Sequence, residues 1–430
     1  MSVLQLLSNS STEQIKPVKP SPLWVSKAST RRAEHAASIL AGEASGDYIG
    51  SSVMKGLKLI DEKISFFGIG GPLMIEEGLK SKYKMNDFNI IGFLNFLNNY
   101  KKLKNYINEI TKLIFFEKPI VVITIDTKGF SYELARNLKK SFKGTSFKCP
   151  LIHFVPPTIW AYGKSRSKKW KNLHDGLFCL FKKEEEVFKS LGIECIYLGN
   201  PVIEKFLKLS KSNNLLPIKN IKFNERKGLK CLLLPGSRDT EIKYILPEFI
   251  SLIKNFDCKL YKIDWIIPTT SLHFKYVTNK IKDLEIKKGI EVVDLQENYD
   301  LLNYADIAIA CSGTVTLELV LFKIPTIAIY KTDILSATIG RLLVNFKNVI
   351  LPNFLLGENV VPFLFQEKCK GYHIDIILSK YITDIEKKKI LFYDYSNKII
   401  KLMNYDDISK FNFSKNSSSK IFNIINSYNY

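Results

Sequence analysis

Arginine is scarce in this chain: only seven of the 63 basic residues are Arg, and the rest are Lys. The scarcity ascribes much of the net charge of +21 to a genome-wide preference for Lys, Ile and Asn. The remainder suits a polyanionic partner such as an anionic lipid or a phosphorylated substrate. No zinc-finger spacing or RNA-recognition aromatic signature accompanies the charge, which excludes the common nucleic-acid modules. Long apolar runs are also missing. The segment Leu317 to Tyr330 is broken by Glu318 and Lys323, and nothing reaches the roughly 18 uncharged residues of a membrane-spanning helix. The seven cysteines are scattered and never form Cys-x-x-Cys, which argues against a disulfide framework and a structural zinc site. No Gly-Lys-Ser/Thr follows a glycine loop, so there is no P-loop. No Asp-x-Asp pair is present to hold a metal against a diphosphate, which favours metal-free chemistry. The five histidines form no ligand pattern, and core or surface positions are expected for His153 and His174.

What is present is alternation. At 430 residues with 46% hydrophobic content, the chain can fill two cores. Residues 1–36 are rich in Ser, Pro and Lys, lack periodicity and read as a disordered extension. Their Arg31-Arg32 and few acids leave an organelle transit peptide as the lesser reading. From Ala37, short apolar runs bounded by turns alternate with helical stretches. The runs begin at Ser38, Ile64, Ile120 and Leu151, and again at Cys231, Trp265, Ile307 and Thr326. Such alternation predicts parallel βαβ units. Pro201 to Gly228, polar and without a strand, reads as a linker. The expected domains are 37–205 and 206–370, each Rossmann-like and doubly wound, followed by a helical tail, 371–430.

In open parallel sheets ligands bind beyond the carboxyl ends of strands, and four such loops carry chemistry. Ala41-Gly42-Glu43-Ala44-Ser45-Gly46-Asp47 frees the backbone for a close approach, though it also reads as an ordinary turn capped by Asp47. Asp126 ends the run Ile123-Thr124-Ile125 and is placed as a general base, the bland alternative being a helix cap. A free aspartate has a pKa of about 3.9, so such a base calls for burial. Leu234-Pro-Gly-Ser-Arg238 presents a guanidinium fork suited to phosphate oxygens. Ser312-Gly313-Thr314 opens a helix whose N-terminus suits a diphosphate, with Glu318 placed to accept from a ribose diol. A fifth segment joins Ile90, Ile91, Phe93, Leu94, Phe96 and Leu97 to a basic cluster containing Lys101 and Lys102. It reads either as a core helix or as a membrane-interface helix.

Taken in order, Ala41–Asp47, Gly-Ile-Gly-Gly-Pro at 68–72, Ile125-Asp126, Pro156-x-x-x-Trp160-Ala-Tyr, Leu234–Arg238, Ser312–Glu318 and Leu351-Pro-Asn353 resemble the lipid-A-disaccharide synthase family, from about Ala37 to Cys369. The resemblance implies a GT-B fold, with two Rossmann-like domains facing across a cleft. It implies a hexosyltransferase of lipid A (lipopolysaccharide) biosynthesis. Such an enzyme passes 2,3-diacylglucosamine from its UDP derivative to 2,3-diacylglucosamine 1-phosphate, inverting at the anomeric carbon without metal or other cofactor. Asp126 would be the base and Glu43 a neighbour in the cleft. Arg238, Ser312, Gly313, Thr314, Glu318 and Asn353 would hold UDP, and the segment from Ile90 to Lys104 would meet membrane and acyl chains. The family also implies a peripheral location on the inner face of the cytoplasmic membrane. Its members can send the C-terminal helix back across to the first domain, here from the tail 371–430, and can form a swapped homodimer. This chain departs from the family pattern at Pro156-Pro157-Thr158, at Leu180-Phe-Lys-Lys-Glu184, at Asn200 and at Lys331. Competing readings are another UDP-sugar GT-B enzyme (a peptidoglycan-type transferase or a UDP-N-acetylglucosamine 2-epimerase) and a non-catalytic membrane-binding homologue.

Overall fold

The computed structural model describes residues 35–85, 93–159, 169–211, 228–256, 261–282, 289–295, 299–346, 348–403 and 411–428, with the backbone only for 93–100, 207–211 and 343. The strands of the first half are β1 (Ala36–Ala41), β2 (Ser65–Gly70), β3 (Leu79–Lys84), β4 (Val121–Ile125), β5 (Leu151–Phe154), β6 (Gly176–Cys179) and β7 (Ile196–Tyr197). They form one parallel sheet in the order β3-β2-β1-β4-β5-β6-β7. The second half contains β8 (Leu229–Leu234), β9 (Ile263–Thr269), β10 (Ile290–Asp294), β11 (Ile307–Cys311), β12 (Thr326–Tyr330) and β13 (Phe363–Phe365), ordered β10-β9-β8-β11-β12-β13. Every recorded pairing is parallel, as crossover helices require. Strand β1 reads Ala-Ala-Ser-Ile-Leu-Ala and is buried along its whole length, the signature of a strand covered on both faces.

The helices of the first half are α1 (Ala44–Ile60), α2 (Pro72–Glu76), α3 (Phe93–Glu117), α4 (Lys128–Ser141), α5 (Lys182–Lys189) and α6 (Pro201–Lys211). Those of the second half are α7 (Asp239–Asn255), α8 (Ser271–Lys282), α9 (Thr314–Leu321), α10 (Ile334–Leu343) and α11 (Leu351–Leu356). Helices α12 (Gly371–Thr383), α13 (Ile385–Leu402) and α14 (Phe413–Tyr428) close the chain. Helix α6 replaces the first part of the expected linker. Asn200 caps it by accepting from the Val202 amide at 2.9 Å, and Ile203 and Phe206, three apart, bury the same face. The rest of that linker lies outside the described residues.

The two sheets are held in one compact unit, His35–Tyr430. Helix α13 packs on α9 and α11, where Ser396 donates to the Leu321 carbonyl at 2.9 Å. Helix α14 then lies along α1, with Phe413, Ile421 and Ile425 buried in the core that α1 shares with β1 and β4. Its start is tied to α6 by Glu204, whose carboxylate accepts from the Phe413 amide at 2.8 Å. The approach is close enough that a Cβ on Gly56 of α1 would collide with the Ser414 backbone. Gly56→Val should therefore cost about 1–3 kcal/mol through overpacking. The thermal midpoint should fall, and amide exchange should speed up selectively in 413–428. Unchanged exchange there would refute the packing.

Candidate functional site

Each sheet reverses its strand order once, and both reversals carry the motif loops. In the first sheet the reversal falls between β1 and β4, whose register aligns Ala41 with Ile125. The loops starting at Gly42 and Asp126 therefore leave the same edge side by side. In the second sheet it falls between β8 and β11, aligned Leu234 with Ala310, so Pro235–Arg238 lies beside Ser312–Thr314. A crevice opens at such a switch point because helices depart to opposite faces of the sheet.

One ion pair joins the two crevices. Arg238 Nη2 lies 2.6 Å from Glu43 Oε2, with the side chains 26% and 16% exposed. Arg238 is the N-cap of α7, and its Nη1 also pairs with Glu241 one turn on. Glu241 accepts from the amides of Ser237 at 3.0 Å and Arg238 at 3.3 Å, which fixes the loop. Gly236 is required there: its φ is +107°, and a Cβ would strike the Glu241 carboxylate. Arg238 Nε is buried without a hydrogen-bond partner, so one donor of the guanidinium is unused.

Glu43 lies at the start of α1, and burial, followed by the negative charge of Asp126, pushes its carboxyl above the ordinary range, while Arg238 pulls the other way. Asp126 and Thr127 both adopt left-handed backbone, φ +52° and +41°. This conformation is strained for non-glycine residues and typical of functional turns. Thr127, rather than Asp126, is the N-cap residue of α4, and the Asp126 carboxylate lies 3.6 Å from Lys128 Nζ. Ser131 steadies the turn by donating to the Asp126 carbonyl at 2.9 Å. Asp47, read as the cap of its own helix, instead caps α2. It accepts from the amides of Gly71 at 2.8 Å, Leu73 at 3.0 Å and Met74 at 3.1 Å, binding the first motif to the Gly-Ile-Gly-Gly-Pro stretch.

In the second half, Gly313 precedes α9 with extended backbone, and a Cβ added to it would meet nothing within 4 Å. Glu318 accepts from Tyr299 Oη at 2.7 Å, and burial raises its carboxyl above the usual range. Lys205 of α6 crosses from the first half to lie 3.3 Å from the centre of the Tyr299 ring. The Asn353 amide is committed to its own loop. It accepts from the amides of Val360 at 3.0 Å and Val361 at 2.8 Å and donates to Asn359 and the Val361 carbonyl. Among the described residues no cluster of three or more His, Cys, Asp or Glu could hold a metal.

Sequence reasoning missed Tyr299 and Lys205, which belong to no motif. It also passed over Glu184 as a member of the site. That carboxyl, 3% exposed, accepts from the amides of Leu180 at 3.1 Å and Phe181 at 3.2 Å, and burial pushes it up to about 8, with Lys128 and Asp126 acting on it in opposite senses. The departures have structural uses: Lys183 donates to the Phe354 carbonyl across the halves at 2.5 Å, and Lys331 pairs with Glu248. Of the expected membrane segment, Ile90 and Ile91 lie outside the described residues, as does Trp160. Phe93, Leu94, Phe96 and Leu97 lie on α3, and Lys101 and Lys102 are exposed.

The match to the family model described as lipid-A-disaccharide synthetase extends over residues 37–413. The chain belongs to the lipid-A-disaccharide synthase family. Among the members it resembles, the Gluconobacter oxydans (strain 621H) lipid-A-disaccharide synthase is 31% identical over 364 residues, covering 84% of this chain and 85% of the relative. The Rickettsia canadensis (strain McKiel) lipid-A-disaccharide synthase is 33% identical over 368 residues, covering 82% and 91%. The fold of this family member is also that of Methanocaldococcus jannaschii UDP-GlcNAc 2-epimerase, solved with UDP-GlcNAc and UDP, at 16% identity and a TM-score of 0.54, covering 91% of this chain and 99% of that one. At that identity the likeness establishes the two-domain GT-B architecture alone.

Beneath the Asp126 turn of this synthase-family chain, His153 lies on β5 fully buried, with Nδ1 2.8 Å from Thr124 Oγ1. His174 lies 5.2 Å away, ring centre to ring centre, and stacks on Trp170. His153 Nε2 and both His174 nitrogens are buried without hydrogen-bond partners. Burial holds His153 down to about 3, helped by Lys128, and lowers His174 as well. Both imidazoles are thus neutral in the fold, whereas an unfolded histidine titrates near about 6.5. The unfolded chain binds the extra protons, so stability is full above that pH and falls as pH drops through it. For His153 alone the loss should be about 2 kcal/mol by pH 5. Denaturant unfolding at pH 7.5 and pH 5 should show the loss, and His153→Gln should reduce it by about 2 kcal/mol, leaving the share of His174. Equal losses in both chains would contradict a buried neutral His153.

Proposed function

We propose that this chain transfers 2,3-diacylglucosamine from UDP-2,3-diacylglucosamine to the 6-hydroxyl of 2,3-diacylglucosamine 1-phosphate, giving the β-1,6-linked disaccharide 1-phosphate and UDP with inversion at the anomeric carbon. The observation that carries the reading is the Glu43–Arg238 ion pair, which brings the loop edge bearing Asp126 against the loop edge suited to a diphosphate. Asp126 takes the proton of the acceptor hydroxyl as its oxygen attacks the anomeric carbon, and UDP leaves with the electron pair of the broken bond. Arg238, through its unpaired Nε–H and its fork, and the open α9 start at Ser312, Gly313 and Thr314 stabilise the charge that grows on the diphosphate. Glu318 takes the ribose, exchanging its bond to Tyr299 for the diol. Asn353 acts through the loop it holds. Glu43 keeps Arg238 oriented until the diphosphate arrives.

Residues 37–205 serve in this reading as the acceptor domain, 206–370 as the nucleotide domain and 371–430 as the tail that returns to the first. No helix among the described residues is long and apolar enough to cross a membrane. The exposed lysines of α3 support peripheral attachment to an anionic membrane surface, with Ile90 to Lys102 as the contact. The inner face of the cytoplasmic membrane and a homodimer belong to the same proposal and rest on the family resemblance alone.

UDP release from UDP-2,3-diacylglucosamine in detergent micelles should depend on added acceptor. Asp126→Asn should lower turnover by about 10²–10⁴-fold with UDP affinity unchanged. Acceptor-independent release, or a mutant as fast as the wild type, would defeat the assignment. Arg238→Ala should weaken UDP binding by about 1.5–3 kcal/mol, the range for a hydrogen bond to a charged group. Calorimetric titration with UDP reads this directly, and an unaltered affinity would remove Arg238 from the nucleotide site.

A further inference from the structure

Exposed apolar side chains gather on helices α8, α13 and α10, and α10 also packs against α3. Its outer face carries Ile334 at 84% exposure, Leu335 at 47% and Leu342 at 81%, while Ala337 seats the opposite face in the protein. Its start is built rather than frayed, because Asp333 accepts from the Ser336 amide at 2.8 Å. Scattered apolar side chains on a surface need no explanation, but three gathered on one short helix do.

Its position supplies the explanation. Strand β12 ends at Tyr330 and α10 begins at Ile334, so the helix leaves the carboxyl edge of the second sheet, where the site lies. Helix α3 follows β3 and precedes β4, so its first turn lies at the carboxyl edge of the first sheet. The two helices pack beside one another although they come from different halves. On α3, Lys101, Lys102 and Lys104 are exposed, while Leu103 and Ile107 are buried. A strip of aliphatic side chains beside exposed lysines is complementary to an anionic bilayer, which offers both an acyl region and negative headgroups. It is poorly matched to a second protein copy. Three aliphatic side chains expose a few hundred Å² at most, against roughly 800 Å² per partner in a stable interface.

We propose that α10 is a second membrane-docking element, contributed by the nucleotide half, so that one anionic bilayer touches both halves at the edge where the site lies. This rests on the membrane-surface reading of α3. Arg341, which pairs with Glu367 at the end of α10, is not required for it.

The test uses the full chain and sedimentation with vesicles of phosphatidylglycerol and phosphatidylethanolamine, at low and high salt. Ile334→Ser/Leu342→Ser should lower the salt-resistant bound fraction by about tenfold or more, with UDP affinity and the thermal midpoint unchanged. Lys101→Glu/Lys102→Glu should instead remove the dependence on phosphatidylglycerol. Binding of Ile334→Ser/Leu342→Ser equal to wild type would overturn the role of α10 alone. Wild type that fails to sediment with vesicles would overturn the membrane reading beneath it, and UDP titration would show whether the nucleotide site survives. Unchanged vesicle binding with a raised KM for acylated substrate in micelles would make substrate acyl chains the occupant and overturn the proposal. So would a variant that merely dissociates a lipid-free dimer.

Discussion

The contact on which the rest of the site depends is the ion pair between Glu43 and Arg238. The two residues are 195 positions apart and belong to loops of different sheets. Partly buried charges are costly unless each is well paired, so neither side chain is free to wander. Arg238 is anchored behind by Glu241, which also fixes the amides of its own loop, and Gly236 supplies the backbone turn that admits that carboxylate. In front of Glu43, Lys128 attracts its carboxylate through space while Asp126 repels it. Charges of alternating sign thus run from Asp126 through Lys128 and Glu43 to Arg238 and Glu241. In the proposed reaction a diphosphate would compete with Glu43 for the guanidinium and need not create a binding site from nothing.

Much of this was legible in the sequence because parallel strands buried on both faces read as unbroken apolar runs, as Leu232–Leu234 and Ile307–Ala310 do. Five strands escaped notice. Leu79–Lys84 alternates with Lys at an edge, Ile290–Asp294 and Phe363–Phe365 lie at the two edges of the other sheet, and Ile196–Tyr197 has two residues. Gly176–Cys179 is interior and buried, but only four residues long and opened by a glycine. The supposed linker concealed α6 because its sequence carries as much Lys and Ser as a linker, and among its described side chains Ile203 and Phe206 mark the buried face.

At the site, residues at strand ends announced themselves, whereas their partners did not. Glu43, Asp126 and Arg238 stand where topology puts ligands. Glu241, Tyr299 and Lys205 matter only once helices from distant parts of the chain are packed together. The correction to Asp47 has the same origin. A carboxylate near a helix start has amides of its own within reach, and the three it uses became available only when Gly71–Met74 folded beside it.

The return of α14 to α1 has a consequence for how the molecule comes into being. The face of α1 around Gly56 is completed by residues 413–428, which are synthesised after both sheets. The first half, although synthesised first, keeps that apolar face uncovered until the second sheet has been made and α14 arrives. The two halves therefore do not mature one after the other, and the order in which the first core closes is set by packing and not by synthesis.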